Sequence, residues 1–118
     1  MKNSITYQLE NDSHVPDRFW VKAKYQESDI AFSLYNIFCA ERANLKRIFV
    51  LPSFRNQGVG SQMFSIAKAD LKKKGIKQLD ICFGKDPDAD KFMRFISHHK
   101  PTEIIFYAFF YKVDFSIA

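Results

Sequence analysis

Gly58 and Gly60 stand close together at the head of an amphipathic stretch, just after Arg55 and the apolar run Ile48-Phe49-Val50-Leu51-Pro52. Glycine inside a helix costs roughly 1 kcal/mol relative to alanine, so two in one turn imply that something must approach the backbone closely. The first amides of a helix have no partner within it and point outward, with the positive end of the dipole behind them. Such an end suits a phosphate, and Arg55 adds a fixed positive charge at its rim. Two familiar phosphate loops are excluded by spelling. A nucleotide P-loop ends in Gly-Lys-Ser/Thr, whereas Gly60 is followed by Ser61 and Gln62; a dinucleotide fingerprint needs a third glycine where Met63 stands. What remains is Arg55-x-x-Gly58-x-Gly60, preceded by Val50-x-Pro52.

The other reactive side chains point elsewhere. Cys39 and Cys82 cannot form a disulfide framework and lack metal-ligand spacing, and Cys82 reads as a buried structural thiol. His98 and His99 precede Lys100-Pro101, where a helix end favours surface cations over metal ligands. Glu41 reads as a solvated turn residue. No metal site is expected.

Residue periodicity predicts the elements that position the double glycine. Strands are expected over 4–10, 19–26 and 30–38, with turns at Asn11-Asp12-Ser13 and Glu27-Ser28-Asp29. Trp20, Lys22 and Lys24 fall on one side of the second strand, and Phe19, Val21, Ala23 and Tyr25 on the other. A strand over 45–51 stops at Pro52, which cannot donate to a sheet ladder. A helix over 57–74 collects Val59, Met63, Phe64, Ile66, Ala67 and Leu71 on one face and ends at Lys72-Lys73-Lys74-Gly75. A buried strand over 77–83 follows, then a helix over 87–98 with Asp86 as its cap and Pro87 at its first position. Residues 103–115 complete the chain as two strands or one bent strand. The order makes an α/β or α+β chain with a strand–helix–strand crossover in its middle.

Composition narrows the class. The 118 residues contain 13 Phe, 5 Tyr and 1 Trp, with 47% hydrophobic and 26% charged residues, which suits one folded domain and excludes disorder. No apolar run approaches the ~20 residues of a membrane span, and the first residues lack a signal-peptide core. The net charge of +5 favours an anionic partner, but the tightest basic cluster, Lys72 to Lys74, is explained as a helix end. A nucleic-acid binder would need exposed stacking aromatics, and the Phe excess reads instead as core and interface. No nucleic acid or membrane partner is expected, and reduced thiols place the chain in the cytoplasm.

The Arg55-x-x-Gly58-x-Gly60 pattern, with Val50-x-Pro52 before it and the Lys-Lys-Lys-Gly helix end after it, resembles the pyrophosphate motif of the GNAT superfamily of acyl-CoA-dependent N-acyltransferases. The resemblance implies one GNAT-like domain over 1–118, with a mixed, mostly antiparallel sheet carrying helices on its faces. It implies acetyl-CoA as co-substrate, with the pantetheine arm along Ile48, Phe49 and Val50. Backbone amides over Asn56, Gln57, Gly58, Val59, Gly60 and Ser61 would hold the pyrophosphate, with Arg55 beside it. The acyl group would lie where the strands at 45–51 and 77–83 diverge, open to attack by a small-molecule or protein amine. Three departures stand out. Residues 11–18 replace the two helices that form one acceptor wall, Met93 stands where the family has a proton-donating tyrosine, and Ile81 stands where many members have a carboxylate. No acid or base is assigned. The resemblance therefore supports an N-acetyltransferase, with a CoA-binding or structural module of the same fold as the alternative. The missing wall leaves apolar surface to cover, so a homodimer through 104–115 is expected.

Overall fold

In the computed structural model, residues 4–85, 89–107 and 109–117 are described. Four strands come first: β1 (Ile5–Asn11), β2 (Arg18–Tyr25), β3 (Ser28–Cys39) and β4 (Arg42–Val50). A single 3-10 turn, Pro52–Phe54, leads to α1 (Val59–Lys73), then β5 (Gln78–Gly84), α2 (Ala89–Ser97), β6 (Glu103–Phe106) and β7 (Phe110–Ser116). The strands form one seven-stranded sheet in the order β1-β2-β3-β4-β5-β7-β6. Every neighbouring pair is antiparallel except β4 and β5, which are joined by the α1 crossover. The last aromatic stretch is thus a hairpin of two strands. The expected cap at Asp86 and Pro87, and the side chain of Ala89, lie outside the described residues.

Short connections fix the register of the first strands. Asp12 accepts hydrogen bonds from the amides of His14 (2.8 Å) and Val15 (3.1 Å), closing the β1–β2 turn without any helix. The β2–β3 turn is tighter than expected. Its central residues are Gln26 and Glu27, at φ 49° and 69°, while Ser28 already pairs with Tyr25. Positive φ at both central positions gives the twist a two-residue hairpin needs, although neither residue is the usual asparagine or glycine.

Rows of side chains across the strands define two unequal faces. Phe19, Tyr35 and Leu45 stand abreast, as do Val21, Ser33 and Ile48, then Ile81 and Val113, and Leu79 and Phe115. α1 packs on this face with Val59, Met63, Phe64, Ala67 and Leu71 buried at helical spacing. α1 ends in a Schellman motif, with Ile76 N–H bonded to Leu71 O (3.0 Å) and Gly75 N–H to Lys72 O (3.1 Å). α2 covers the same face, because Phe92 meets Phe83 edge-on at 4.7 Å and Phe95 lies 6.0 Å from Phe64. The opposite face carries no helix among the described residues. Its rows are Trp20, Leu34 and Arg47; Lys22, Phe32 and Phe49; and Asn36, Asn44, Asp80 and Asp114.

Phe64 joins the layers. Its ring contacts those of Phe95, His99 and Phe115, at centroid distances of 6.0, 4.7 and 5.1 Å, and it is fully buried. Phe64→Ala is expected to cost about 3–5 kcal/mol, read from the denaturant midpoint at unchanged slope. A loss under about 1 kcal/mol would show that the helices do not depend on this contact.

Candidate functional site

A cleft opens in the middle of the sheet. β4 and β5 pair only from Arg42 opposite Gln78 to Leu45 opposite Ile81, although β4 runs on to Val50 and β5 to Gly84. At the same point the β3–β4 register slips: Tyr35 faces Leu45 and Leu34 faces Arg47, so Lys46 is an extra residue. Such a bulge bends its strand and increases the local twist. Beyond it, the Leu51 amide donates to Ile30 O at 2.9 Å. In an antiparallel ladder, bonded and non-bonded pairs alternate. The main-chain groups of Phe49 are therefore engaged with β3, whereas those of Ile48 and Val50 point towards the side that β5 has left.

The loop after β4 delivers α1 to the mouth of this cleft. Asn56 (φ 62°) and Gly58 (φ 82°) both lie in the left-handed region, which turns successive amides into a concave array. Gly58 is the N-cap of α1, without a side-chain capping bond and without any acidic residue in the first turn. The first intrahelical bond runs from Gln62 N–H to Gly58 O (2.9 Å), which leaves the amides of Val59, Gly60 and Ser61 without a helical acceptor. A Cβ at Gly60 would lie 3.4 Å from Phe95 Cε1 and 3.8 Å from Ile48 Cδ1, ordinary contact distances, so α1 meets α2 and β4 here with room for a methyl and packing does not demand the glycine. Arg55 is exposed, its Nε donating to Val50 O at 2.7 Å and its guanidinium lying over the Phe49 ring at 5.5 Å. The Phe49 side chain stands on the helix-free face, 42% exposed.

The remaining candidates divide between the two faces. Ile81 is buried under the helices, and Asp80 and Cys82 take the opposite side, as strand alternation requires. The expected burial of Cys82 is overturned: the residue is exposed, because no second layer among the described residues covers its face. Partial desolvation and then the Asp80 carboxylate push its thiol up, outweighing the downward pull of Lys112, and this net rise disfavours the thiolate a nucleophile needs. Glu41 is exposed in the β3–β4 turn, 3.1 Å from Lys77. Met93 is half-buried on α2. No group of three or more potential metal ligands occurs among the described residues.

His99 does not take the surface position that its place before Lys100-Pro101 predicts. α2 ends at Ser97, and His99 folds back beneath it, half-buried, with Nε2 3.3 Å from Ser61 Oγ and Nδ1 3.4 Å from Lys68 Nζ. The link to Ser61 ties the end of α2 to the first turn of α1. Desolvation, then Lys68 and His98, lower its pKa below the ordinary value near 6.5. The folded chain thus keeps His99 neutral, while the unfolded chain takes up a proton as pH drops below about 6.5. Stability is complete above that pH and is lost as pH falls through the folded value. His99→Gln should flatten this dependence, so its melting temperature should change less than that of the parent between about pH 7.5 and 5. Parallel curves for the two proteins would contradict the assignment.

Comparison with known proteins agrees with this geometry. The acetyltransferase (GNAT) domain profile matches residues 15–108. The chain belongs to the GNAT acetyltransferase family. A GNAT family acetyltransferase from Elizabethkingia anophelis, solved with acetyl-CoA bound, superposes with a TM-score of 0.71 at 16% identity, over 97% of this chain and 99% of that one. A GNAT acetyltransferase from Desulfovibrio desulfuricans gives 0.74 at 16% identity, over 86% and 71%. The PaiA N-acetyltransferase of Thermoplasma acidophilum, solved with coenzyme A, gives 0.74 at 17% identity, over 85% of this chain and 61% of that one. None of the curated proteins matches the chain significantly in sequence.

Proposed function

We propose that the chain is an N-acetyltransferase that takes acetyl-CoA and passes the acetyl group to an amine. The observation that carries this reading is the early end of the β4–β5 ladder beside an α1 terminus with three unpartnered amides. Ile48 and Val50 offer main-chain groups to an extended pantetheine arm, and the Val59, Gly60 and Ser61 amides offer donors to a pyrophosphate, with Arg55 at the rim. Asn56, Gln57 and Gly58 shape the loop. In the transfer, the amine lone pair attacks the thioester carbonyl, the C–N bond forms, the C–S bond breaks and CoA leaves as thiolate. The nitrogen gives up one proton. A thiol leaving group, with pKa near ~8.5, tolerates departure without an acid, which is compatible with Met93 at the family's tyrosine position.

A CoA-binding module without transfer is the second reading, favoured by Met93 and by the turn that replaces the acceptor helices. Self-association through the β6–β7 hairpin is part of the proposal, since Phe106 and Phe109 are 68% and 85% exposed there. The cytoplasm is the proposed setting, because both exposed cysteines are free. All of residues 1–118 are taken as one domain.

A pair of variants separates packing from charge. Gly60→Ala adds a methyl in ordinary contact with Phe95 and Ile48 and should hold or slightly raise stability, since alanine is the better helix former, whereas Gly60→Asp adds a carboxylate beside the phosphates. Like charges ~4 Å apart at an effective dielectric of ~20 cost about 4 kcal/mol, roughly a thousandfold in affinity. Calorimetric titration with acetyl-CoA should show this loss for Gly60→Asp and less than about tenfold for Gly60→Ala. Equal losses would rule out a phosphate at this turn. Met93→Tyr should leave acetyl-CoA affinity unchanged and raise CoA release with an accepted amine, positioned proton transfer contributing typically ~10²–10⁴-fold. No rise in a folded variant would mean that protonation of the leaving group does not limit the rate.

A further inference from the structure

Three side chains from two distant segments form a hydrogen-bonded chain at the head of α1. Lys68 Nζ lies 3.4 Å from His99 Nδ1, and His99 Nε2 lies 3.3 Å from Ser61 Oγ. Ser61 and Lys68 stand two turns apart on one side of α1, and His99 comes against that side from beyond the end of α2. The ring is packed as well as bonded, meeting Phe64 edge-on at 4.7 Å and Phe95 at 5.1 Å. Lys68 in turn lies over the Phe64 ring at 4.9 Å.

The chemistry of the groups gives this chain one direction. An ammonium carries donors and no acceptor, so Lys68 donates and His99 Nδ1 accepts. The neutral ring then carries its proton on Nε2, which donates to Ser61 Oγ. With a lone pair engaged by His99, the Ser61 hydroxyl turns its own hydrogen away from the ring. Helical side chains lean towards the N-terminus, so that hydrogen is carried towards the amides of Val59, Gly60 and Ser61, which have no helical acceptor.

We propose that His99 is a positioning residue for the pyrophosphate: anchored by Lys68, it aims the Ser61 hydroxyl at the anion held by the head of α1. The inference goes beyond main-chain recognition and rests on the acetyl-CoA reading. A donor whose direction is set before the ligand arrives loses less freedom on binding. The ring also gives the site a response to pH. The charged group that faces His99 from α1 is Lys68, and from its own segment His98, while the sheet beneath Phe64 offers the apolar Phe115. Desolvation first, then these two basic neighbours, hold the ring neutral in the free protein. An anion one hydroxyl beyond Nε2, about 6 Å away, favours the protonated ring. Protonation turns Nδ1 into a donor and releases Lys68, while Nε2–H stays on Ser61. Affinity therefore rises as pH falls through the pKa of the ring.

Dephospho-CoA is the probe, because its pyrophosphate keeps its charge near neutral pH whereas a phosphate monoester titrates there. In calorimetric titration at about pH 7.5, Ser61→Ala should bind about tenfold more weakly, having lost a bond to a charged acceptor. His99→Phe keeps the ring contacts and loses the donor. It should weaken binding several-fold, and the double variant should be no weaker than Ser61→Ala, because two members of one relay do not act independently. His99→Gln offers Ser61 an N–H that does not titrate, so it should keep parental affinity at the higher pH. Between about pH 7.5 and 5.5 the parent should tighten by about threefold, the Coulomb gain at that separation in water, and His99→Gln should stay flat. A packing role for His99 would move stability and leave this profile alone. Full affinity in Ser61→Ala, multiplied losses in the double variant, or one pH profile shared by the parent and His99→Gln overturns the inference. Any of these in a parent that binds the probe leaves the transferase reading standing. A parent that binds neither dephospho-CoA nor acetyl-CoA refutes both.

Discussion

Everything at the centre of this molecule depends on where one parallel ladder stops. Four residue pairs hold β4 to β5, and at Leu45 and Ile81 the pairing ends while both strands continue. The extra residue at Lys46 makes the parting abrupt, because a bulge bends β4 while β3 still holds its other edge. Main-chain groups that a sheet would normally consume are thereby left facing a gap. The crossover that links the two strands places the head of α1 beside that gap, so the cleft and the cationic helix end come from one topological unit.

The two faces of the sheet solve different problems. On one, a cluster of rings around Phe64 and Phe95 binds both helices to the strands and to each other. Gly60 lies where Phe95 of α2 and Ile48 of β4 approach α1, so the turn that exposes amides at the mouth of the cleft also borders the packed layer. On the other, no helix among the described residues excludes water, and the strands carry rings, cations and carboxylates in rows. A sheet covered on one side only is expected to present polar residues outward. Here Trp20, Phe32 and Phe49 break that rule together, in adjoining rows rather than scattered singly.

Most of the elements were legible because their periodicity is strong and local. Phe19, Val21 and Ala23 identify the buried side of β2, and the helical spacing of Met63, Phe64, Ala67 and Leu71 identifies α1. The glycines of the α1 turn were legible as a site because their cost inside a helix needs a reason. The β2–β3 turn was misplaced because Gln26 and Glu27 carry no mark of the left-handed backbone that the twist imposes on them. The exposure of Cys82 was hidden for another reason: alternation tells which residues share a face, not whether anything covers it. His99 with Ser61, and Asn44 with Asp80 and Asp114, are brought together by packing and register between distant segments, which local spacing does not encode.

The bond from Arg55 to Val50 has a consequence for anything that enters the cleft. Val50 O is one of the carbonyls turned towards the gap, and it already accepts the Arg55 Nε–H at 2.7 Å. A carbonyl oxygen has two lone pairs, so a donor from an extended chain entering the gap either shares Val50 O with Arg55 or exchanges places with it. Arg55 is exposed, so a displaced Nε–H returns to water, and the gain at that point is then only the difference between two similar bonds. In either case the guanidinium stays at the rim, within reach of an anion arriving beside it.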